Sequence, residues 1–247
     1  MSRPAPLPAS VAALAGWELR VTARRGENLL VTLFIPVAIL VFFSAVPVID
    51  LGTEEPVTLL LPGAISLAVI ATGLVSLAIA TGYERGYGVL KRLGGSPLPR
   101  SGVITAKALA VAVTVIAQAV LLVAVAVGLG WRPGPGTSAP IVIAALVLGA
   151  LTFSALGLAM AGRLRPEATM ATANGLFLAC LLIGGIIVPL DRLPAAVPIL
   201  AQLLPPAALT EALRAGLEGG NAVQPLVVLT AWAVGAIAVT ARTFRWE

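Results

Sequence analysis

Side chains that could perform covalent or metal chemistry are scarce in this sequence of 247 residues. Histidine is absent and Cys180 is the single cysteine, so residue type excludes an internal disulfide, a His/Cys zinc cluster and a histidine-dependent catalytic triad. ATP hydrolysis needs a glycine-rich loop that ends in Gly-Lys followed by Ser or Thr. The two lysines, Lys91 and Lys107, follow leucine and alanine instead. We therefore predict a chain that is not an enzyme and holds no cofactor or metal, with any ATP and Mg²⁺ bound to a separate polypeptide.

The composition indicates a membrane protein. Hydrophobic residues make up 59% of the chain and charged residues only 11%, whereas an average soluble domain carries about 25% charged residues. Too few polar side chains are present to cover a water-facing surface. The apolar excess must face the lipid bilayer.

Uncharged runs long enough to cross that bilayer occur six times. A hydrocarbon core about 30 Å thick needs about 20 apolar residues in a helix. The predicted spans are Leu29–Ile49, Thr58–Ala80, Val103–Leu129, Ile141–Ala161, Ala173–Leu190 and Gln224–Thr240. The fifth is the shortest, and Gly184, Gly185 and Pro189 predict an irregular far end.

The positive charges orient these spans. Thirteen of the sixteen Lys and Arg residues lie in the N-terminal segment, the second and fourth loops or just inside their flanking spans, and the C-terminal tail. They are Arg3, Arg20, Arg24, Arg25, Arg85, Lys91, Arg92, Arg100, Lys107, Arg163, Arg165, Arg242 and Arg245. The positive-inside rule then places both termini in the cytoplasm. Orientation and lipid headgroups account for the basic residues, so we predict no nucleic-acid partner.

We thus predict an all-α membrane protein with six transmembrane helices. Residues 1–28 form a cytoplasmic N-terminal segment, residues 29–240 the transmembrane domain and residues 241–247 a cytoplasmic tail.

The N-terminal segment contains an amphipathic pattern from Ser10 to Arg25. Ser10 is predicted to cap the start of a helix. One side carries Leu14, Trp17 and Val21, and another carries Arg20 and Arg24. Such a helix is expected to lie along the inner leaflet. It would either anchor the first span or also present a surface to a cytoplasmic partner.

The second loop carries a short amphipathic pattern from Glu84 to Leu93. Val89, Leu90 and Leu93 form its apolar side, and Gly94-Gly95 is expected to end the helix. Either this is an ordinary positive loop, or its acidic start and apolar side dock against another protein.

The fifth loop, residues 191–223, is long, proline-rich and apolar. It is predicted to pack against the spans as a re-entrant hairpin that includes a helix from Ala207 to Leu217. Within that helix, Glu211 and Arg214 are three residues apart and could pair.

The predicted spans contain no Asp, Glu or His at mid-depth, which disfavours a proton-coupled carrier. Their milder polar groups are typical of hydrogen bonds between helices. For one of them, Gln118, the alternative interpretation is that it lines a route for substrate. Cys180 is expected to be a small, buried packing residue.

Four short stretches form an ordered pattern along the chain. Residues 83–93 read Tyr-Glu-Arg-Gly-Tyr-Gly-Val-Leu-Lys-Arg-Leu, and Ser96-Pro97-Leu98 follows. The end of the fifth span and the outer loop then carry Pro189-Leu190-Asp191-Arg192-Leu193-Pro194 and Leu204-Pro205-Pro206. Together with the six predicted spans, this pattern resembles the ABC-2 type permeases, which are membrane subunits of bacterial exporters of drugs, lipids or polysaccharides. The resemblance covers nearly the whole chain.

The resemblance implies a cytoplasmic interface helix over Ser10–Arg25, a coupling helix over Glu84–Leu93 that sits in a groove of a cognate ATPase, and an outer re-entrant hairpin. The implied coupling residues are Glu84, Arg85, Gly86, Val89, Leu90, Lys91 and Arg92. Many members carry a further acidic residue where this chain has Gly86, Gly88 or Lys91, so its charge pairing with the ATPase would differ.

The implied function is that of an exporter permease in the bacterial cytoplasmic membrane. It would move a hydrophobic or amphipathic cargo, powered by two copies of an ATPase subunit and paired with a second permease as a homo- or heterodimer. The alternatives are a membrane scaffold or assembly factor that does not transport and, less favoured, a carrier that works without a partner.

Overall fold

The computed structural model describes residues 6–24, 26–46, 56–96, 98–186 and 200–243, with side chains omitted for 27–31. Within those ranges the chain is helical and contains no strand. We label the helices α1 (Leu7–Arg24), α2 (Gly26–Ala45), α3 (Pro56–Ile70), α4 (Leu77–Gly86), α5 (Val89–Gly94), α6 (Arg100–Gly128), α7 (Ala139–Ala161), α8 (Pro166–Ile183), α9 (Pro205–Glu218) and α10 (Val223–Thr243). A π-helical turn, π1 (Ala71–Ser76), joins α3 to α4.

A single continuous helical rod, Pro56–Gly86, forms the centre of the bundle. Of its most apolar stretch 78% is buried, against 17% for α8. Its first half, α3, packs against α2, α6, α7 and α9, and its second half, α4, packs against α7 and α8. We call the α4 end of the bundle, which is predicted to face the cytoplasm, the inner end, and the α3 end the outer end. The rod is therefore the element that touches nearly every other one.

Five helices in the described ranges are long and apolar enough to cross a membrane. They are the rod Pro56–Gly86, α6, α7, α8 and α10, and they correspond to the predicted spans two to six. The first predicted span corresponds to α2, whose described apolar stretch, Thr32–Ala45, is shorter. An all-helical membrane fold is confirmed, while the count of six spans stays a prediction.

Two helix starts differ from the sequence prediction. The first helix begins at Leu7, and the Ser10 N–H donates to the Pro6 carbonyl at 3.1 Å, so the predicted cap at Ser10 is wrong. Proline in the first turn loses no intrahelical bond, and this favours the earlier start.

The fifth predicted span also begins early, at Pro166 instead of Ala173, for the same reason. Its helix ends at Ile183, and a turn at Gly184 and Gly185 follows, as the glycines predicted. Pro189 lies outside the described residues.

The outer helix α9 is buried in the bundle. It packs on α3, α7 and α10, and its predicted range of Ala207–Leu217 is confirmed with two residues added at the start and one at the end. The loop between α6 and α7 is bonded to it, since the Ser138 N–H donates to the Gly216 carbonyl at 2.8 Å. The predicted re-entrant hairpin falls partly on residues 187–199, outside the described ranges.

Candidate functional site

A buried ion-pair network, in which one lysine bridges two carboxylates, lies at the inner end of the bundle. Lys107 on α6 is 1% exposed, and its Nζ lies 2.6 Å from Glu18 Oε1 and 2.7 Å from Glu84 Oε2. Both carboxylates belong to largely buried side chains. We call Glu18, Glu84 and Lys107 the triad. It joins α1, α4 and α6, three elements that are far apart in sequence.

The position of Lys107 on its helix explains why the triad is buried. Lys107 lies seven residues after Arg100, about two helical turns or roughly 10 Å inside the start of α6. A charge at that depth is costly unless it is paired and hydrogen-bonded. Glu18 comes from the face of α1 that packs on α6, and Glu84 comes from the last turns of α4. Each carboxylate therefore compensates a charge that the bundle would otherwise exclude.

Arg85, next to the triad, ties the same segment to the far side of the bundle. Its guanidinium donates to the Gly162 carbonyl at 2.9 Å and also to the Leu164 carbonyl, both in the turn between α7 and α8. Close packing supports this contact, because a Cβ added at Gly86 would lie 2.9 Å from Pro166 Cγ. The inner end of the rod is thus held from both sides.

The predicted helix over Glu84–Leu93 is wrong in one respect, because it is two helices. The chain turns at Tyr87 and Gly88, and Gly88 adopts φ 72°, a conformation that favours glycine. The break separates the two ends of the segment: Glu84 faces inward, and α5 carries the exposed Lys91 and Arg92. Leu90 is fully buried in this chain's own core.

The structure adds a contact within the chain for one of the predicted coupling residues. Glu84 binds Lys107 of its own chain. Of the remaining predicted coupling residues, Arg85 and Val89 are half-buried and Gly86 is exposed. Their part in coupling to an ATPase stays a prediction.

The interface helix α1 packs on the bundle through a stripe beside its predicted apolar side, and the placement of that apolar side at the inner leaflet stays a prediction. Ala15 and Glu18 are its buried residues, and Leu14 and Val21 are half-buried. Trp17 is 45% exposed. Arg20 and Arg24 are exposed, as expected for a side that faces water or headgroups. The helix is held by an ion pair beneath it as well as by its apolar side.

Gln118 lies in a hydrogen-bonded cluster between three helices. Its Oε1 accepts from Thr72 Oγ1 at 2.9 Å, and its Nε2 donates to Thr32 Oγ1 at 3.3 Å. The side chain is 4% exposed. These bonds favour the helix-packing interpretation, and the route for substrate stays a prediction.

A small polar cavity of about 40 Å³ lies between the triad and this cluster. The triad forms one end, and the hydroxyl-bearing residues Thr22, Thr72, Ser76 and Thr114 are among the others that line it. A polar space of this volume can hold ordered water. We call it the inner cavity.

A second cavity of about 240 Å³ lies along α9 and is lined by Glu211, Arg214 and several amide side chains. Arg214 pairs with Glu211, as predicted, and its Nε lies 3.9 Å from Glu218 Oε1. Burial raises the pKa of the Glu218 carboxyl; the charge of Arg214 opposes this rise and that of Glu211 adds to it. Since the raised pKa belongs to an acid, this carboxyl stabilises the fold more at acidic than at neutral pH.

The role of Glu18 and the depth of Lys107 were missed from the sequence, although one signal was present. Lys107 falls inside a predicted span, where an ionisable side chain needs an opposite charge. By its position in the sequence, Lys107 was instead counted among the positive charges predicted to face the cytoplasm. Pairing it with Glu18 and Glu84 requires three helices in contact, which no local pattern contains.

Comparison with known families agrees with this architecture. The sequence model of the ABC-2 type transporter family matches residues 10–217, from the interface helix to the end of α9. The chain therefore belongs to the ABC-2 type transporter family and is a membrane-embedded permease component of a transporter. No curated protein matches it significantly.

Proposed function

We propose that this permease exports a hydrophobic or amphipathic compound across a bacterial cytoplasmic membrane, powered by a separate ATPase that docks on α5. ABC-2 permeases generally work with an ATPase subunit and as dimers. Here, two ATPases and a second permease copy would complete the transporter, with both termini of each permease in the cytoplasm.

The observation that carries this proposal is the set of contacts around the short helix α5. Exposed Lys91 and Arg92 offer a basic surface to a partner. Immediately before α5, Glu84 is bonded to α6 and α1 through Lys107, and Arg85 is bonded to the turn between α7 and α8. A push on α5 would therefore be transmitted to four other elements. This is the arrangement that an externally powered lever needs.

The proposed cargo class follows from the character of the helices. Apart from the triad, the buried polar side chains of the described residues are hydroxyls and one amide, and most of these are bonded to each other or to the backbone. Thr210, for example, donates to Ser66 at 3.1 Å. A translocation route bordered by such helices suits a compound that is itself largely apolar.

The test is reconstitution with the ATPase encoded by a neighbouring reading frame. We expect the two proteins to co-purify, the permease to change the ATPase rate, and vesicles that hold both to accumulate a fluorescent amphipathic dye only with ATP. Vesicles with the permease alone are the control, because dye flux in them would indicate a partner-independent carrier. Stable membrane insertion without an ATPase partner or nucleotide-dependent flux would favour a scaffold and contradict the proposal.

A further inference from the structure

The π-helical turn π1 interrupts the central rod near its middle. The Leu77 N–H donates to the Thr72 carbonyl, five residues back, where a regular helix would use the carbonyl four residues back. A π-turn contains one residue more than the same length of α-helix. The π-turn could convert to α-helix or move along the chain. Either change rotates one half of the rod against the other, by about 100° for each residue by which the helical register shifts.

The two halves of the rod are held by different parts of the protein. In α3, twelve of fifteen residues are buried, among α2, α6, α7 and α9. In α4, the fixed points are the triad and the Arg85 contacts at its inner end. The outer half is thus the more deeply embedded, since only five of the ten residues of α4 are buried, and the inner half is the one connected to the lever. A force applied at α5 and passed along α4 meets a departure from regular α-helical bonding at π1.

The contact between π1 and α7 is unusually close. A Cβ added at Gly157 would lie 2.8 Å from the Gly73 carbonyl oxygen and 3.0 Å from that of Leu74. A Cβ added at Gly73 would lie 3.1 Å from Phe153 Cβ. Backbone therefore touches backbone here, and glycine permits a smooth surface on which one helix can slide against the other.

Polar groups beside π1 supply bonds that can be exchanged. Thr72, inside the turn, binds Gln118 and also lines the inner cavity. Among the described residues, the buried hydroxyls of Ser154 on α7 and Thr81 on α4 reach no hydrogen-bond partner in this conformation. Buried polar groups without partners are costly. A second arrangement of α4 against α7 is a physical reason for both hydroxyls to be present.

We infer that π1 is the joint of the transport cycle, at which α4 moves with the lever while α3 stays fixed in the bundle. Gly73 and Gly157 act as positioning residues that keep the joint free, and the Thr72–Gln118 bond holds one of its two settings. This inference rests on the proposed coupling to an ATPase. It adds the position in the rod at which the moving part meets the fixed part.

Hydrogen exchange measured by mass spectrometry on the complete transporter in nanodiscs tests the joint without any substitution. Between the nucleotide-free complex and the complex with a non-hydrolysable ATP analogue, amide exchange in residues 71–80 should change by about tenfold or more, because local opening free energies differ between two backbone settings. Exchange in residues 60–69 should not change. If a complex that transports showed the same exchange in residues 71–80 with and without the nucleotide analogue, the joint would be overturned, but the proposed coupling would stand. Absence of nucleotide-dependent transport in the wild type would overturn both.

Two alanine substitutions on α7 separate the joint from packing in general. Gly157→Ala introduces a methyl group against the backbone of π1. We expect the transport rate to fall about tenfold, which corresponds to about 1.4 kcal/mol, while the amount of bound ATPase stays unchanged. Gly149→Ala is the matched control, because its Cβ would meet the Leu209 side chain at 2.8 Å, in the outer half. It should retain nucleotide-dependent exchange in residues 71–80. Equal loss of transport in the two variants, or full transport in Gly157→Ala, would contradict the joint.

Discussion

Replacing Lys107 by methionine should sharply lower the yield of folded protein and the melting temperature of the fraction that survives. The substitution keeps the length of the side chain but removes the charge that compensates Glu18 and Glu84. Breaking a buried ion pair by removing one partner costs about 3–5 kcal/mol, because the remaining charges stay buried. Thermal melting followed by size-exclusion fluorescence in detergent measures the effect.

The matched control for this prediction is the only other lysine in the sequence, Lys91, which is exposed on α5. Lys91→Met should leave the melting temperature nearly unchanged, since exposed charges contribute at most about 1 kcal/mol.

Neutralising all three groups of the triad separates folding from coupling. In the triple variant Glu18→Gln, Lys107→Met and Glu84→Gln, no buried charge is left without a partner, so much of the lost stability should return. Transport should not return, because the charged bonds that connect α4 to α1 and α6 are gone. Full transport by the triple variant would show that the triad serves stability alone.

Reversing the two exposed charges of α5 should detach the ATPase without harming the fold. We expect Lys91→Glu together with Arg92→Glu to reduce co-purified ATPase by about tenfold or more, because like charges placed against each other in an interface cost several kcal/mol. Melting temperature and membrane insertion should match those of the wild type. Pull-down with the tagged permease at equal expression measures the change.

The control for the α5 variant is Arg242→Glu, an exposed basic position at the end of α10 that lies outside the lever. It should bind as much ATPase as the wild type. Equal binding by the α5 double variant would mean that the ATPase docks elsewhere, and the lever would then lose its partner.

The sequence predicted the helices well because apolar runs and their breaks are local properties. The rod, α6, α7 and α10 begin and end within a few residues of their predicted limits, apart from the inner end of the rod, where the helix continues to Gly86. The error at α8 has the same local origin. Its first turns are polar, so a search for apolar residues began the span too late and gave too little weight to Pro166 as a helix start.

The site was harder to predict, because its parts meet only in three dimensions. The segment 83–93 was identified, yet the inward direction of Glu84 depends on Lys107, and the partnership with Glu18 depends on how α1 packs. The π-turn leaves no trace in hydrophobic periodicity, since residues 71–76 read as part of an ordinary apolar span. The residue types of the site could be read from the sequence, but the contacts between its helices could not.

The proposed coupling requires α5 to lie on the cytoplasmic side of the membrane. In a Cys180→Ala background, Lys91→Cys should resist a membrane-impermeant maleimide in intact cells and react after permeabilisation. Pro135→Cys, in the exposed turn between α6 and α7, should react in intact cells and serve as the outer reference. Labelling of Lys91→Cys from outside intact cells would place the lever beyond the reach of any cytoplasmic ATPase and contradict the proposed coupling.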